Sequence, residues 1–257
     1  MKVLRRTLPW LLLAAVCGCG AGGPPGSLDR SFGSDGFATV STSAHWVAAG
    51  GAVVQPQDGK LLVAGQEHLR SGVNNLVITR LLASGRLDPS FGKDGITTVP
   101  NGGTDSGADI ALRSDGKILV AGTATPPTLA VSDALAIVRL NAYGTRDASF
   151  AARGVATMTV CEQSIATGVV QARDGKVAVV GQASCGGQVR MVAARFDADG
   201  APDRTFGASG LKQFSPPSAG WAISAQPDGR LILAGQWGIR AERLRHAGRA
   251  IERSRRT

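Results

Sequence analysis

Aromatic side chains are scarce in this chain of 257 residues: they make up 5% of it, with a single tyrosine. Histidine is scarcer. His45, His68 and His246 are the only ones, and none recurs or sits in a ligand-like spacing, which removes the usual zinc arrangements. There is no Gly-x-Ser-x-Gly elbow and no phosphate-binding P-loop. Between residues 30 and 240 no apolar stripe recurs at helical spacing. No apolar run reaches the ~20 residues that a membrane-spanning helix needs. The body of the chain also lacks an excess of charge. The net charge is +9, but Lys2, Arg5 and Arg6 supply +3 and residues 240–257 supply +5, which leaves +1 on residues 7–239. A near-neutral body has no distributed basic face for phosphate backbones, so no nucleic-acid partner is expected.

What is abundant is glycine, at 35 residues, within a composition that is 43% hydrophobic. That mix suits many short strands joined by tight turns. One phrase recurs four times: Asp58-Gly59-Lys60, Asp115-Gly116-Lys117, Asp174-Gly175-Lys176 and Asp228-Gly229-Arg230, at intervals of 57, 59 and 54 residues. A second phrase keeps the same beat: Asp29-Phe32-Gly33-Gly36, Asp88-Phe91-Gly92-Gly95, Asp147-Phe150-Gly154 and Asp203-Phe206-Gly207-Gly210. A period of this size marks one structural unit copied.

In the first copy, Gly36 to Thr42 is strand-like, Trp46 to Gln55 is a second apolar segment, Lys60 to Ala64 a third, and Asn75 to Leu81 a fourth. Asp58-Gly59, and Asp115-Gly116, Asp174-Gly175 and Asp228-Gly229 after it, suit a tight hairpin between the second and third strands. Either a type I′ turn or a type I turn with a glycine bulge fits. The third strands, such as Ile118 to Gly122 and Val177 to Gly181, are continuous apolar runs, the pattern of a strand covered on both faces. Four short antiparallel strands per unit, sandwiched between neighbouring units, describe the blade of a β-propeller. The expected fold is therefore all-β: a propeller-like array of about four four-stranded antiparallel blades, in units of about 28–87, 88–146, 147–202 and 203–244.

Those units resemble the bacterial delta-60 repeat. Leu87-Asp88-Pro89-Ser90-Phe91-Gly92, Gln226-Pro227-Asp228-Gly229-Arg230 and Arg139-Leu140-Asn141 carry the resemblance, which runs from about Leu28 to Gly235. It implies a propeller-like array and brings no catalytic residues with it.

The N-terminus is similar to a bacterial lipoprotein signal. Met1 to Arg6 is basic, Leu8 to Val16 is apolar apart from Pro9, and Val16-Cys17-Gly18-Cys19 follows. The resemblance implies removal of residues 1–18 and acylation of Cys19, with residues 19–27 as a flexible Gly/Pro tether. An ordinary secretory signal is the alternative. Gly20 after that cysteine leans towards the outer membrane. At the other end the pattern breaks. Gly235 to Arg243 spans 8 residues, where the earlier copies have 15, 17 and 14 between corresponding positions. The last unit is expected to be frayed, and residues 245–257 to form a basic, disordered tail.

Three pairs share a spacing of eight residues: Arg80 with Asp88, Arg139 with Asp147, and Arg195 with Asp203. Repetition favours structural contacts tying each blade to the next over a ring of ligand-binding charges. Phe32, Phe91, Phe150 and Phe206 are expected to plug the seams between blades rather than to stack on glycans. Cys161 and Cys185 remain after signal removal. They follow the first and third strands of the third unit, so the loops must lean together for a disulfide, with free thiols the alternative. Asp197-Ala198-Asp199-Gly200 reads as a plain turn rather than a calcium loop. No catalytic, cofactor or metal residues stand out. The expected function is an envelope scaffold, lipid-anchored in the bacterial outer membrane, that binds an undefined protein or glycan partner. A propeller lyase or hydrolase acting on envelope glycans or peptides, and a truncated paralogue, are the alternatives.

Overall fold

The computed structural model describes residues 11–14, 26–42, 46–100, 106–125, 133–215, 218–236 and 239–244. All regular structure among them is β, so no helix there is long and apolar enough to cross a membrane. Cys19 and the tail from 245 lie outside the described residues. Of the expected signal segment only Leu11–Ala14 lies within them, as strand β1, paired antiparallel with β2 (Phe37–Val40).

Four antiparallel meanders follow. The first blade is β3 (Trp46–Val54), β4 (Leu61–His68), β5 (Asn74–Leu81) and β6 (Ile96–Val99). The second is β7 (Ser106–Leu112), β8 (Ile118–Ala124), β9 (Ala134–Leu140) and β10 (Val155–Thr159). The third is β11 (Gln163–Gln171), β12 (Val177–Cys185), β13 (Gln188–Phe196) and β14 (Leu211–Gln213). The fourth has three strands: β15 (Ala219–Ala225), β16 (Leu231–Gln236) and β17 (Ile239–Leu244).

These sheets are displaced by one strand from the sequence units. The segment that opens a unit, such as Ile96–Val99 after Asp88, is the outermost strand of the preceding blade. A period fixes the length of a repeat and not its origin, so the sequence units straddle the seams. The shortened last unit is also less frayed than its spacing suggests. β17 pairs with β16 over six residues, Gln236↔Ile239 to Leu231↔Leu244. The shortening falls in the strands: the third blade also has two residues between β12 and β13, but those strands have nine residues each where β16 and β17 have six.

The doubly covered strands are where the apolar runs placed them in the first three blades, while β16 of the fourth leaves Ala234 exposed. Every residue of β8 and β9 is buried. Alternate side chains of these strands serve two cores. Ile118, Val120, Val138 and Leu140 pack with Leu62, Ala64, Ile78 and Phe91 of the first blade's side. Leu119, Ala121, Leu135 and Ile137 pack with Val169, Val177, Val179 and Ala194 of the third blade. A third core joins Ala178, Val180, Ala193 and Phe206 to Leu231 and Leu233 of the fourth. Each seam is thus a small hydrophobic core between two sheets, and side chains alternate between seams as the pleat requires.

Candidate functional site

The clustered chemistry of the chain lies where each third strand hands over to the outermost one. Arg80 sits next to the C-terminal end of β5. Its Nε donates to Asp88 Oδ2 at 2.8 Å, and its other terminal nitrogens donate to Ser90 Oγ and to the Ala142 carbonyl. Asp88 Oδ1 accepts from the amide and the hydroxyl of Ser90, a local turn that Asp-x-Ser favours. Lys60, from the Asp-Gly turn, completes the set at 3.0 Å from Asp88 Oδ2. The second copy repeats it with Arg139, Asp147, Ser149 and Lys117, and the third with Arg195, Asp203, Thr205 and Lys176. All three arginines and all three aspartates are buried. A phenylalanine ring lies under each guanidinium: Phe91, Phe150 and Phe206, at 4.8, 4.3 and 4.8 Å to the centroid.

Burial alone would push these carboxyls up. The hydrogen bonds from Ser90 and Lys60 and the charge of Arg80 outweigh it, and hold the Asp88 carboxyl far below the usual carboxylate range. The same balance holds Asp147 down through Lys117, Ser149 and Arg139, and Asp203 down through Thr205, Lys176 and Arg195. All three stay ionised at neutral pH, with the geometry of bound anions already neutralised by two cations. They offer neither a proton to give nor a free lone-pair set for a metal. Among the described residues no group of three or more His, Cys, Asp or Glu is placed to hold a metal ion.

The Arg–Asp pairs belong within a blade, not between blades as their spacing suggested. The one-strand displacement puts Asp88 in the connection from β5 to β6 of the same sheet. The link to the next blade comes from the arginine's other arm. Arg80 Nη1 reaches the Ala142 carbonyl at 2.7 Å and Arg139 Nη1 reaches Ala198 at 2.6 Å. Backbone bonds reinforce it: Gly33 N to Ser84 O at 2.8 Å, Gly92 N to Tyr143 O at 2.8 Å, and Ala151 N to Asp199 O at 2.6 Å. The phenylalanines sit at the seams, since a Cβ on Gly144 would lie 3.0 Å from the Phe91 ring and one on Gly200 2.9 Å from Phe150. Asp197 to Gly200 is one of these turns; the Asp197 carboxylate meets Lys176 at 3.0 Å.

The third residue of the Asp-Gly-Lys phrase went unassigned in the sequence. A signal was present: Lys60, Lys117 and Lys176 precede their aspartates by 28, 30 and 27 residues. Three of the four turns take the bulged option, while the first is one residue longer, with the Gly59 amide donating to Gln55 O at 2.9 Å. The Arg113 amide donates to Lys117 O while the Gly116 amide donates to Arg113 O, and Gly116 has φ 80°. That is a type I turn closed by a left-handed glycine. Asp58, Asp115, Asp174 and Asp228 each accept from the amide two residues on.

Cys161 and Cys185 are joined, with Cα atoms 5.1 Å apart. The expected obstacle, an intervening strand, does not exist. Cys161 leads into β11, whose neighbour β12 ends at Cys185, so the bond ties adjacent strands of one hairpin.

Residues 57–91, 113–150 and 172–206 match a β-propeller domain of unknown function, DUF5122. No curated protein matches the chain. Among solved structures it is similar to a gluconolactonase from Xanthomonas campestris (17% identity, TM-score 0.43), covering 84% of this chain and 65% of that one. It is also similar to a thermostable family-43 glycoside hydrolase (10% identity, TM-score 0.45), over 86% of this chain and 77% of that one. A hydrazine synthase of Kuenenia stuttgartiensis is similar over 95% of this chain and 32% of that one (14% identity, TM-score 0.40). The fold is an all-β, β-propeller-like array of antiparallel blades, three of them four-stranded.

Proposed function

We propose that the protein is an exported, lipid-anchored propeller scaffold of the delta-60 type that presents its blade surfaces to a partner in the bacterial envelope. The observation that carries the reading is the N-terminal series: Lys2, Arg5 and Arg6, then the apolar run to Val16, then Cys19 followed by a Gly/Pro-rich tether. A short apolar segment flanked in this way is an address, and an acylated cysteine converts it into an anchor. One acyl chain binds a membrane marginally, while several hold it stably. The cystine between Cys161 and Cys185 fits an oxidising compartment such as the periplasm.

The scaffold half of the reading rests on where the charge goes. The strongly perturbed carboxylates, Asp88, Asp147 and Asp203, are enclosed in buried Arg–Lys–Asp sets within their blades. Binding would then fall to the exposed turns. Fractionation of cells producing the full chain tests the anchor. Wild type is expected in the membrane fraction with an acyl mass on Cys19, and Cys19→Ala in the soluble periplasmic fraction. An unmodified, soluble wild type would overturn it. Capture of envelope components on the purified chain tests the scaffold, and turnover of an envelope glycan or peptide would replace it with an enzyme.

A further inference from the structure

The two ends of the blade array are complementary in strand count, register and charge. Among the described residues the fourth blade has three strands, and no outermost strand like β6, β10 and β14 lies beside β17. The strand of that type left over is β2. Its segment, Asp29 to Val40, already sits on the first blade as the equivalent segments sit on theirs. Phe32, Ala38 and Val40 pack on Leu61 and Leu81, and Gly33 N donates to Ser84 O. It is the outer strand of a blade whose inner strands it has not met.

Register identifies what that blade must be. Arg80, Arg139 and Arg195 stand opposite Leu62, Leu119 and Ala178 in their sheets, and Arg243 stands opposite Ile232 in the same position. Arg230 occupies the place of Lys60, Lys117 and Lys176 in the turn phrase. What the fourth set lacks is its aspartate. Asp29 has the matching half. Its Oδ1 accepts from the Ser31 amide at 2.9 Å and the Ser31 hydroxyl at 2.6 Å, as Asp88 does from Ser90. Among the described residues no basic group pairs with it.

We propose that a second copy of this chain supplies the partner: β17 of one copy pairs with β2 of the other, twice, closing two four-blade arcs into one eight-blade ring. The seam this forms is the one already made three times within the chain. Its register follows from the others, with Ala38 opposite Ala241 and Thr39 opposite Arg240, and Asp29 meeting Arg243 and Arg230. A second copy is favoured over closure of one chain on itself by the spacing of the blades. The innermost strands pack in sequence, β3 on β7, β7 on β11 and β11 on β15, while β3 and β15 share no comparable contact. A head-to-tail interface of this kind closes when its rotation returns to the start. Among the described residues the outer edge of β17 has no strand beside it.

The edge of β2 has a competitor. β1 pairs with it in the register that β17 would take, Leu13 opposite Ala38 and Leu12 opposite Thr39. The full chain with Leu12→Pro and Leu13→Pro removes that competitor independently of any signal processing. In this background, Ala38→Cys chains are mixed with Ala241→Cys chains and oxidised. A disulfide-linked dimer on a non-reducing gel, absent from either chain alone, is the expected result. No cross-link in the mixture overturns the proposal. So does a cross-linked monomer when both cysteines are placed in one chain, since that is closure in cis. A second readout needs no cysteines. Sedimentation should show twice the monomer mass for the parent, monomer for Asp29→Arg, and recovery of the dimer when Arg243→Asp is added. A parent that sediments as monomer overturns the proposal as well.

Discussion

Replacing the exposed Ala151 by glycine is expected to stabilise this protein. The turn after each repeated phenylalanine requires a left-handed residue. Gly33, Gly92 and Gly207 supply it at φ 59°, 55° and 55°. The second blade has Ala151 there, at φ 42°. A Cβ at Gly92 would lie 2.2 Å from the Ile96 carbonyl oxygen, and one at Gly207 2.1 Å from that of Leu211. Ala151 carries that carbon, and its turn has opened in response. The amide of Ala152 is 3.2 Å from the Val155 oxygen, whereas Lys93 to Ile96 and Ala208 to Leu211 measure 2.8 and 2.7 Å. A left-handed L-residue costs roughly 1–2 kcal/mol, and the extra freedom of glycine in the unfolded chain returns about 0.5–1 kcal/mol of that. The net gain is about 0.5–1 kcal/mol. For a domain of this size it raises Tm by roughly 1–4 °C. Differential scanning calorimetry on wild type and Ala151→Gly reads the shift, with Gly92→Ala as the opposite case, expected to lose at least about 2 kcal/mol through the carbonyl clash. A Tm for Ala151→Gly at or below wild type refutes the argument that strain at this turn outweighs chain entropy.

Asp147→Ala leaves the buried Arg139 guanidinium without its carboxylate, which costs about 3–5 kcal/mol and should lower the urea midpoint without changing the slope. Because Asp88, Asp147 and Asp203 have folded pKa values depressed below the unfolded value, their stabilisation is complete above the ordinary carboxylate range. It is lost as pH falls below about 4. Melting followed from pH 7 to pH 2 should show that decline, and a flat profile would contradict it. Reducing Cys161–Cys185, which encloses a loop of sequence separation 24, should cost about 3 kcal/mol. Thermal melts with and without reductant measure it.

The sequence carried the strand content, the doubly covered inner strands and the eight-residue Arg–Asp spacing, because each is written in residues that recur. It did not carry the origin of the repeat. Asp88 looks like the first residue of a new unit, yet Arg80 and Asp88 are bridged inside one sheet. The same displacement turned Cys161 and Cys185 from ends two strands apart into neighbours. Lys60, Lys117 and Lys176 were hidden for a different reason. Each sits in a turn where a lysine is unremarkable, and its carboxylate is 27–30 residues away. Only the fold brings them within 2.7–3.0 Å.

The one-strand displacement has a consequence for how such a chain lengthens. A gene duplication that copies one whole unit inserts the last strand of one blade together with the first three of the next. The insertion therefore lands across a seam and brings that seam's lock with it: an arginine, a lysine, an aspartate and a phenylalanine. Unit count can drift by slippage without any new interface having to arise.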